Sequence, residues 1–254
     1  MTRLPQDIRF ALRSLRRRPA FTLVAVLTLA IGIGANTAIF SVTNAALFRP
    51  LPFPESERLM RVSLLMPDPA VAPGVRNMVW SFPKYRLFRN IQKAFASSGI
   101  YTAGSATVSE QGDAERVSIE IASAGYFATL GLRPQVGRLF LPDEDENPGT
   151  HSVAVLSHNL WRRRFASEPN VAGLTVTING SRFDIVGVLP PGFNGLTGEA
   201  ELWVPVTSPL ARSLDRPRAH QFDLVARLAP GTTPDLARRL PSTSPFRPGC
   251  ADAE

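Results

Sequence analysis

An α+β fold is what this sequence predicts: one N-terminal membrane-spanning helix followed by a mixed α/β domain. Three observations carry that prediction. Residues 19–48 hold no charged side chain, and about 20 apolar residues suffice for a helix to cross a bilayer. Residues 174–189, LTVTINGSRFDIVGVL, place two β-rich runs around Asn179-Gly180, the pair that best suits a two-residue hairpin turn. Between these segments strand-like and helix-like runs alternate irregularly, with hairpins among them. That order fits a mixed sheet better than a doubly wound parallel one.

The chain has 254 residues and a formal net charge of +7. Six arginines against Asp7 within residues 1–18 supply +5 of that excess. The charge is thus a short block beside an apolar run, which suits anionic lipid headgroups. A nucleic-acid binder would spread its basic residues over a folded face, so no nucleic-acid partner is expected. The single cysteine, Cys250, rules out an internal disulfide and discriminates no compartment.

Residues 1–18 are expected to form a cytoplasmic amphipathic basic segment. Leu4, Ile8, Ala11, Leu12 and Leu15 recur at helical spacing among the arginines, the pattern of a helix lying on a membrane surface. Residues 19–48 form the span. Arg13, Arg16, Arg17 and Arg18 precede it and only Arg49 follows closely. The positive-inside rule then predicts a single-pass protein of the inner membrane, its N-terminus cytoplasmic and its main domain periplasmic. Ala30, Gly34 and Ala38 fall four apart on one helix face, and small residues allow close helix packing and a possible homodimer. A cleaved signal peptide is the alternative, supported by the basic start and small residues near Ala45 and Ala46.

Pro50, Pro52 and Pro54 end the span, and a periplasmic core domain is expected over residues 50–230. Residues 58–66 read as its first strand. Residues 81–95 read as an amphipathic helix with Tyr85, Phe88, Ile91 and Phe95 inward. Strands are expected over 99–108 and 115–122, with a short helix over 123–130 burying Tyr126, Phe127 and Leu130. A buried strand over 152–157 leads to the helix HNLWRRRFA, with Ser157 as its cap and Arg162, Arg163 and Arg164 on its wet face. A last strand pair is expected at 201–206 and 221–228. Residues 231–254 lose all periodicity and gain prolines, which reads as a disordered tail.

Much chemistry is absent from the pattern. Lys84 and Lys93 are the only lysines and neither follows a glycine, so these residues contain no GxxxxGK[ST] phosphate loop. No GxSxG, HExxH or paired CxxC occurs. His151, His158 and His220 are too scattered to share a metal, and the acidic run Asp143 to Glu146 lacks the ligand order of a calcium loop, so it reads as solvated. Asn179-Gly180-Ser181 matches a glycosylation acceptor but is better explained as a turn. No catalytic, cofactor-binding or metal residue is assigned, and no enzyme activity is expected.

Six segments in order bear a family likeness: DIRFALRSLRRRPAFTLVAVLTLAIGIGANTAIFSV, RPLPFPESERLMRV, SAGYFATLGLRPQVGRLF, VAVLSHNLWRRRF, the pattern ING..F.IVGVLP.GF, and ELWVP. Together they resemble the N-terminal part of bacterial ABC-transporter permeases of the MacB/FtsX type, including the orphan permeases common in soil bacteria. The resemblance implies a MacB-like periplasmic core domain that couples to partners or substrates outside the membrane. It also implies a separate cytoplasmic ATPase subunit, in keeping with the missing phosphate loop. Full-length members carry three further membrane helices after this domain, so the chain reads as a truncated permease that does not transport alone. A stand-alone anchored binding module is the competing reading. An extracytoplasmic enzyme would need a clustered nucleophile or metal set, which the pattern lacks.

Overall fold

The computed structural model describes residues 19–47, 53–67, 75–109, 113–146, 152–211, 214–233 and 243–245. The basic segment 1–18, its arginines and most of the proline-rich tail lie outside these residues. The chain divides into two units, one ending at Pro52 and one beginning at Phe53.

In the first unit the charge-free run forms one helix, α1 (Pro19–Leu47). Thr28 Oγ1 donates to the Val24 carbonyl at 2.9 Å, which satisfies a hydroxyl within an apolar helix. Phe21, Leu23, Leu29, Ile31 and Phe40 are all exposed. Within the described residues α1 is the one helix long and apolar enough to cross a membrane, over Pro19–Ala38.

The second unit is built on twelve described strands and three helices. The strands are β1 (Leu59–Val62), β2 (Leu64–Pro67), β3 (Val75–Met78), β4 (Phe95–Ser109), β5 (Glu115–Ala122), β6 (Val136–Gly137), β7 (Val153–Leu156), β8 (Thr175–Ile178), β9 (Ser181–Val188), β10 (Leu202–Pro205), β11 (Asp223–Leu228) and β12 (Thr243–Pro245). The helices are α2 (Phe82–Ile91), α3 (Ala124–Leu130) and α4 (His158–Arg164). The main sheet runs β12-β1-β11-β4-β5-β10-β7-β9-β6, and β2 and β3 form a separate hairpin. The β5–β10 and β7–β9 pairs are parallel and the others antiparallel. The expected mixed sheet is therefore present.

The pairing also closes on itself. Strand β8 pairs with both β9 and β4, so β4, β5, β10, β7, β9 and β8 form a ring. The apolar faces inside it meet in one cluster that includes Val108, Val117, Ile119, Leu156, Val176, Ile178, Phe183, Ile185 and Val204. Helix α4 contributes Leu160 and Trp161 to it. Closure pairs strand edges that would otherwise be open. The hairpin that completes the ring turns at Asn179 (φ 48°) and Gly180 (φ 83°), the two left-handed positions of a type I′ turn. Thr107 N donates to Asn179 Oδ1 at 2.8 Å, and Asn179 N donates to the Thr107 carbonyl at 2.9 Å. The asparagine thus serves the turn and locks it to β4.

Strands β12, β1, β11 and the first half of β4 form an open wing. Helix α2 covers it, and Trp80, Phe82, Tyr85, Ile100, Phe222 and Leu224 make a second cluster. Ile121 packs against both clusters. Ser157 caps α4 as expected, accepting from Leu160 N at 3.1 Å.

Several expectations need correction. The first strand is broken at residue 63 into β1 and β2, because β1 joins the main sheet and β2 turns off into its own hairpin. Helix α2 ends at Ile91, and Phe95 opens β4. Ile91 itself is 68% exposed, since Phe82 and Tyr85 already set the buried face. Strands β10 and β11 do not pair: β10 lies between β5 and β7, and β11 between β1 and β4. Among the described residues of the tail, Thr243–Pro245 forms β12, whose register Met60↔Pro245 is set by backbone pairing to β1.

Candidate functional site

The residues singled out for membrane insertion are the first to place. Arg13, Arg16, Arg17 and Arg18 lie outside the described residues. Ala30, Gly34 and Ala38 fall on α1 and are exposed, and a Cβ at Gly34 would meet nothing within 4 Å. These three residues fall four apart along α1.

The folded unit holds two buried carboxylate sites that composition and periodicity do not reveal. The first is Glu120, on the face of β5 opposite the ring interior and fully buried. Tyr126 Oη and Trp203 Nε1 each donate to its Oε2 at 2.7 Å. Thr197 donates to Oε1 from both its backbone N and its hydroxyl at 2.8 Å. Tyr126 Oη in turn accepts from Leu196 N at 3.0 Å. Four donors converge on one carboxylate with no basic side chain among them. Burial pushes its pKa up, while the bonds from Tyr126, Thr197 and Trp203 pull it back. Gly195 (φ 79°) approaches so closely that a Cβ there would lie 2.3 Å from Glu120 Oε1. The site ties the loop 190–200 to β5 and α3. It is filled by protein donors, so its chemistry is that of a structural clamp.

The second is the acidic run, expected to be solvated. Asp143 and Glu146 are exposed, yet Glu144 is 2% and Asp145 is 4% exposed. Arg138 donates to both oxygens of Glu144 at 2.8 and 3.2 Å, and Leu141 N donates at 2.7 Å. Thr207 Oγ1 bonds the Glu144 carbonyl. Asp145 Oδ2 accepts from Ala124 N, at the start of α3, at 2.8 Å, while its Oδ1 has no partner. Burial raises Asp145 to a pKa of about 7, against the pull of the Ala124 N–H and the Arg89 charge. The expectation of a wet loop fails because the short 3-10 turn over Pro142–Asp145 folds its second half inward.

The remaining titratable groups are dispersed. Arg163 bridges Glu115 and Glu201 at 2.7 and 2.9 Å, and Arg164 reaches Glu115 at 3.3 Å. Arg164 therefore departs from the fully wet face expected of it, with its side chain only 15% exposed. His158 Nδ1 lies 2.9 Å from Gln135 Oε1, and His220 Nε2 lies 2.9 Å from Lys84 Nζ. Burial, then the Lys84 charge, lowers the His220 pKa. His151 lies outside the described residues. Among the described residues no three His, Cys, Asp or Glu side chains are grouped to hold a metal.

Among the described residues, one cleft of about 420 Å³ lies beside Gly137, Arg138 and Asp184, and another of about 260 Å³ lies between the end of α2 and the start of β4. Neither gathers a nucleophile with a base. Helix α2 carries the other feature missed in the sequence: Leu87 and Ile91, one turn apart, are 61% and 68% exposed. The helical spacing of Tyr85, Phe88, Ile91 and Phe95 places Ile91 on the buried face, which hides the exposed pair it makes with Leu87.

The comparisons with known proteins agree on the fold. The family model of the MacB-like periplasmic core domain matches residues 22–240. No curated protein sequence matches the chain. Among solved structures, the periplasmic region of MacB from Actinobacillus actinomycetemcomitans superposes with a TM-score of 0.55 at 16% identity, over 72% of this chain and 80% of that one. The extracellular domain of the noncanonic ABC-type transporter YknZ from Gram-positive bacteria gives 0.53 at 14% identity, over 71% and 87%. A domain of a putative permease protein from Porphyromonas gingivalis gives 0.55 at 17% identity, over 77% and 94%. At these identities the likeness is one of fold, and the family match, spanning most of the chain, carries the assignment. The chain belongs to the MacB-like periplasmic core domain family, the extracytoplasmic domain of ABC-transporter permeases.

Proposed function

We propose that this chain acts as the N-terminal portion of an ABC-transporter permease subunit, anchored by α1 and presenting its folded unit to the periplasm for coupling to partners or substrates. The observation that carries the reading is an apolar helix of membrane-spanning length on the same chain as a folded unit, both largely within the residues 22–240 matched by the MacB-like periplasmic core domain family. The arginine block before α1 supports a cytoplasmic N-terminus. The sequence given holds no phosphate loop, which supports a separate cytoplasmic ATPase as the source of motion and a chain that does not transport alone. Glu120 and Glu144 are bonded on both oxygens by protein donors, which supports a structural role for these two carboxylates. Ala30, Gly34 and Ala38 form the face through which α1 packs on a second copy or on another membrane helix.

The test is topological. Expressed in a Gram-negative host, the chain stays with membranes after a carbonate wash, and protease added to intact spheroplasts digests the large C-terminal unit. A unit shielded until lysis refutes the orientation, and a chain released by carbonate refutes the anchor.

A further inference from the structure

Helix α2 is a one-sided object. Phe82 and Tyr85 are buried against the open wing, while Arg86, Leu87, Asn90 and Ile91 are exposed around the opposite arc. Residues 82–93, FPKYRLFRNIQK, contain four basic side chains and no acidic one. Lys84 lies against His220 and Arg89 lies over the Tyr85 ring at 5.9 Å, which leaves the exposed Arg86 and Lys93, one before and one after the exposed apolar pair Leu87 and Ile91 in sequence.

The place of this patch in the fold is informative. The unit begins at Phe53, and Arg227 Nη1 donates to the Pro54 carbonyl at 2.8 Å. Arg58 Nη2 donates to the Leu228 carbonyl at 2.6 Å. Leu228 pairs with Phe95, and Ala229 N donates to the Ala94 carbonyl at 2.9 Å. The last turn of α2 runs directly into Ala94 and Phe95. The chain therefore enters the unit at the strand ends next to the last turn of α2, on the opposite face of the sheet, where Arg227 also reaches the Thr129 carbonyl of α3. Only residues 48–52 separate Leu47 from Phe53 in the sequence, a reach of about 21 Å at full extension.

We propose that the exposed face of α2 docks on the anionic lipid headgroups of the membrane that holds α1, with Leu87 and Ile91 entering the interfacial layer and Arg86 and Lys93 pairing with lipid phosphates. The proposal rests on the anchored reading above. Basic residues flanking apolar ones are the composition that binds an anionic interface. Two apolar side chains alone bind weakly, but a short tether raises the local concentration to the millimolar range. Each basic side chain beside an anionic surface raises occupancy about fivefold, the equivalent of ~1 kcal/mol.

The experiment uses the full chain with Cys250→Ser and Ile91→Cys, labelled at residue 91 with an environment-sensitive fluorophore and reconstituted into vesicles. Vesicles containing phosphatidylglycerol are compared with vesicles of phosphatidylcholine alone. In the anionic vesicles the label shifts to the blue and aqueous iodide quenches it several-fold less. The protection falls when salt rises from about 0.05 to 0.5 M, which shortens the screening length to roughly 4 Å. Arg86→Glu with Lys93→Glu abolishes it, and the milder Arg86→Gln with Lys93→Gln weakens it, each at unchanged circular dichroism. Equal quenching in both lipids overturns the proposal, as does protection that grows with protein density, which would mean a second copy covers the patch. Carbonate extraction of the same vesicles separates the two readings. Protein retained with an aqueous label overturns the α2 docking alone, whereas released protein overturns the anchor and the docking with it.

Discussion

Replacing Asp145 by Asn should stabilise the folded unit at alkaline pH and leave it little changed in acid. Asp145 is nearly buried and its carboxylate receives one hydrogen bond, from Ala124 N, with Oδ1 unpartnered. An N–H at the start of a helix favours the anion, but one bond does not offset the lost hydration, and the pKa rises from 3.8 to about 7. The folded pKa is therefore the higher one. The stability this group contributes is complete below pH ~4 and is lost as pH rises through about 7. Integrated between pH 5 and pH 8, the loss is about 2.5 kcal/mol. Asparagine retains an oxygen for Ala124 N and carries no charge to desolvate. Urea unfolding of both proteins at pH 5 and pH 8, followed by tryptophan fluorescence, reads the difference directly. Taking the variant against the parent cancels every other titrating group. A mutant-minus-parent difference that is the same at both pH values would refute the reasoning, because it would mean that Asp145 stays ionised in the folded state throughout.

Other substitutions test the packing. Glu120→Gln places an amide nitrogen against donors that all point inward, and should cost about 2–3 kcal/mol in the same unfolding assay. Gly99→Ala brings a Cβ to 2.4 Å from Tyr126 Cα, a backbone contact with no side chain to give way, so a loss of at least ~3 kcal/mol or failure to accumulate is expected. Ser157→Ala removes the α4 cap and should lower stability by about 1 kcal/mol. Gly34→Leu should reduce crosslinking between copies through α1 while leaving membrane retention intact; unchanged crosslinking would remove this face from the proposed packing.

Local chemistry made much of the architecture readable. A charge-free run, a Ser before a helix and an Asn-Gly pair between β-rich segments each act within a few residues, and α1, α4 and the β8–β9 hairpin followed. What depends on distant partners was not readable. Glu120 sits in an alternating strand pattern that looks half-wet, and only the fold brings Trp203 and Thr197 to it. Asp145 reads as one acid among four in a polar loop, and its burial depends on where α3 begins. Strands β10 and β11 are both clear as strands, but their neighbours are set by chain crossings that leave no local mark. Ile91 was misplaced because three aromatic residues at helical spacing suggested a broader buried face than Phe82 and Tyr85 require. The small-residue face of α1 was visible in the sequence, but a packing partner was not.

Strand β4 has a mechanical consequence. Its fifteen residues run on the order of 50 Å, with one half among the wing strands and the other stitched into the barrel. A pull delivered where the chain enters beside β1 and β11 would travel to the barrel along a continuous backbone, without crossing a flexible joint. The two halves of the unit thus share one unbroken strand, paired to β11 at one end and to β5 and β8 at the other.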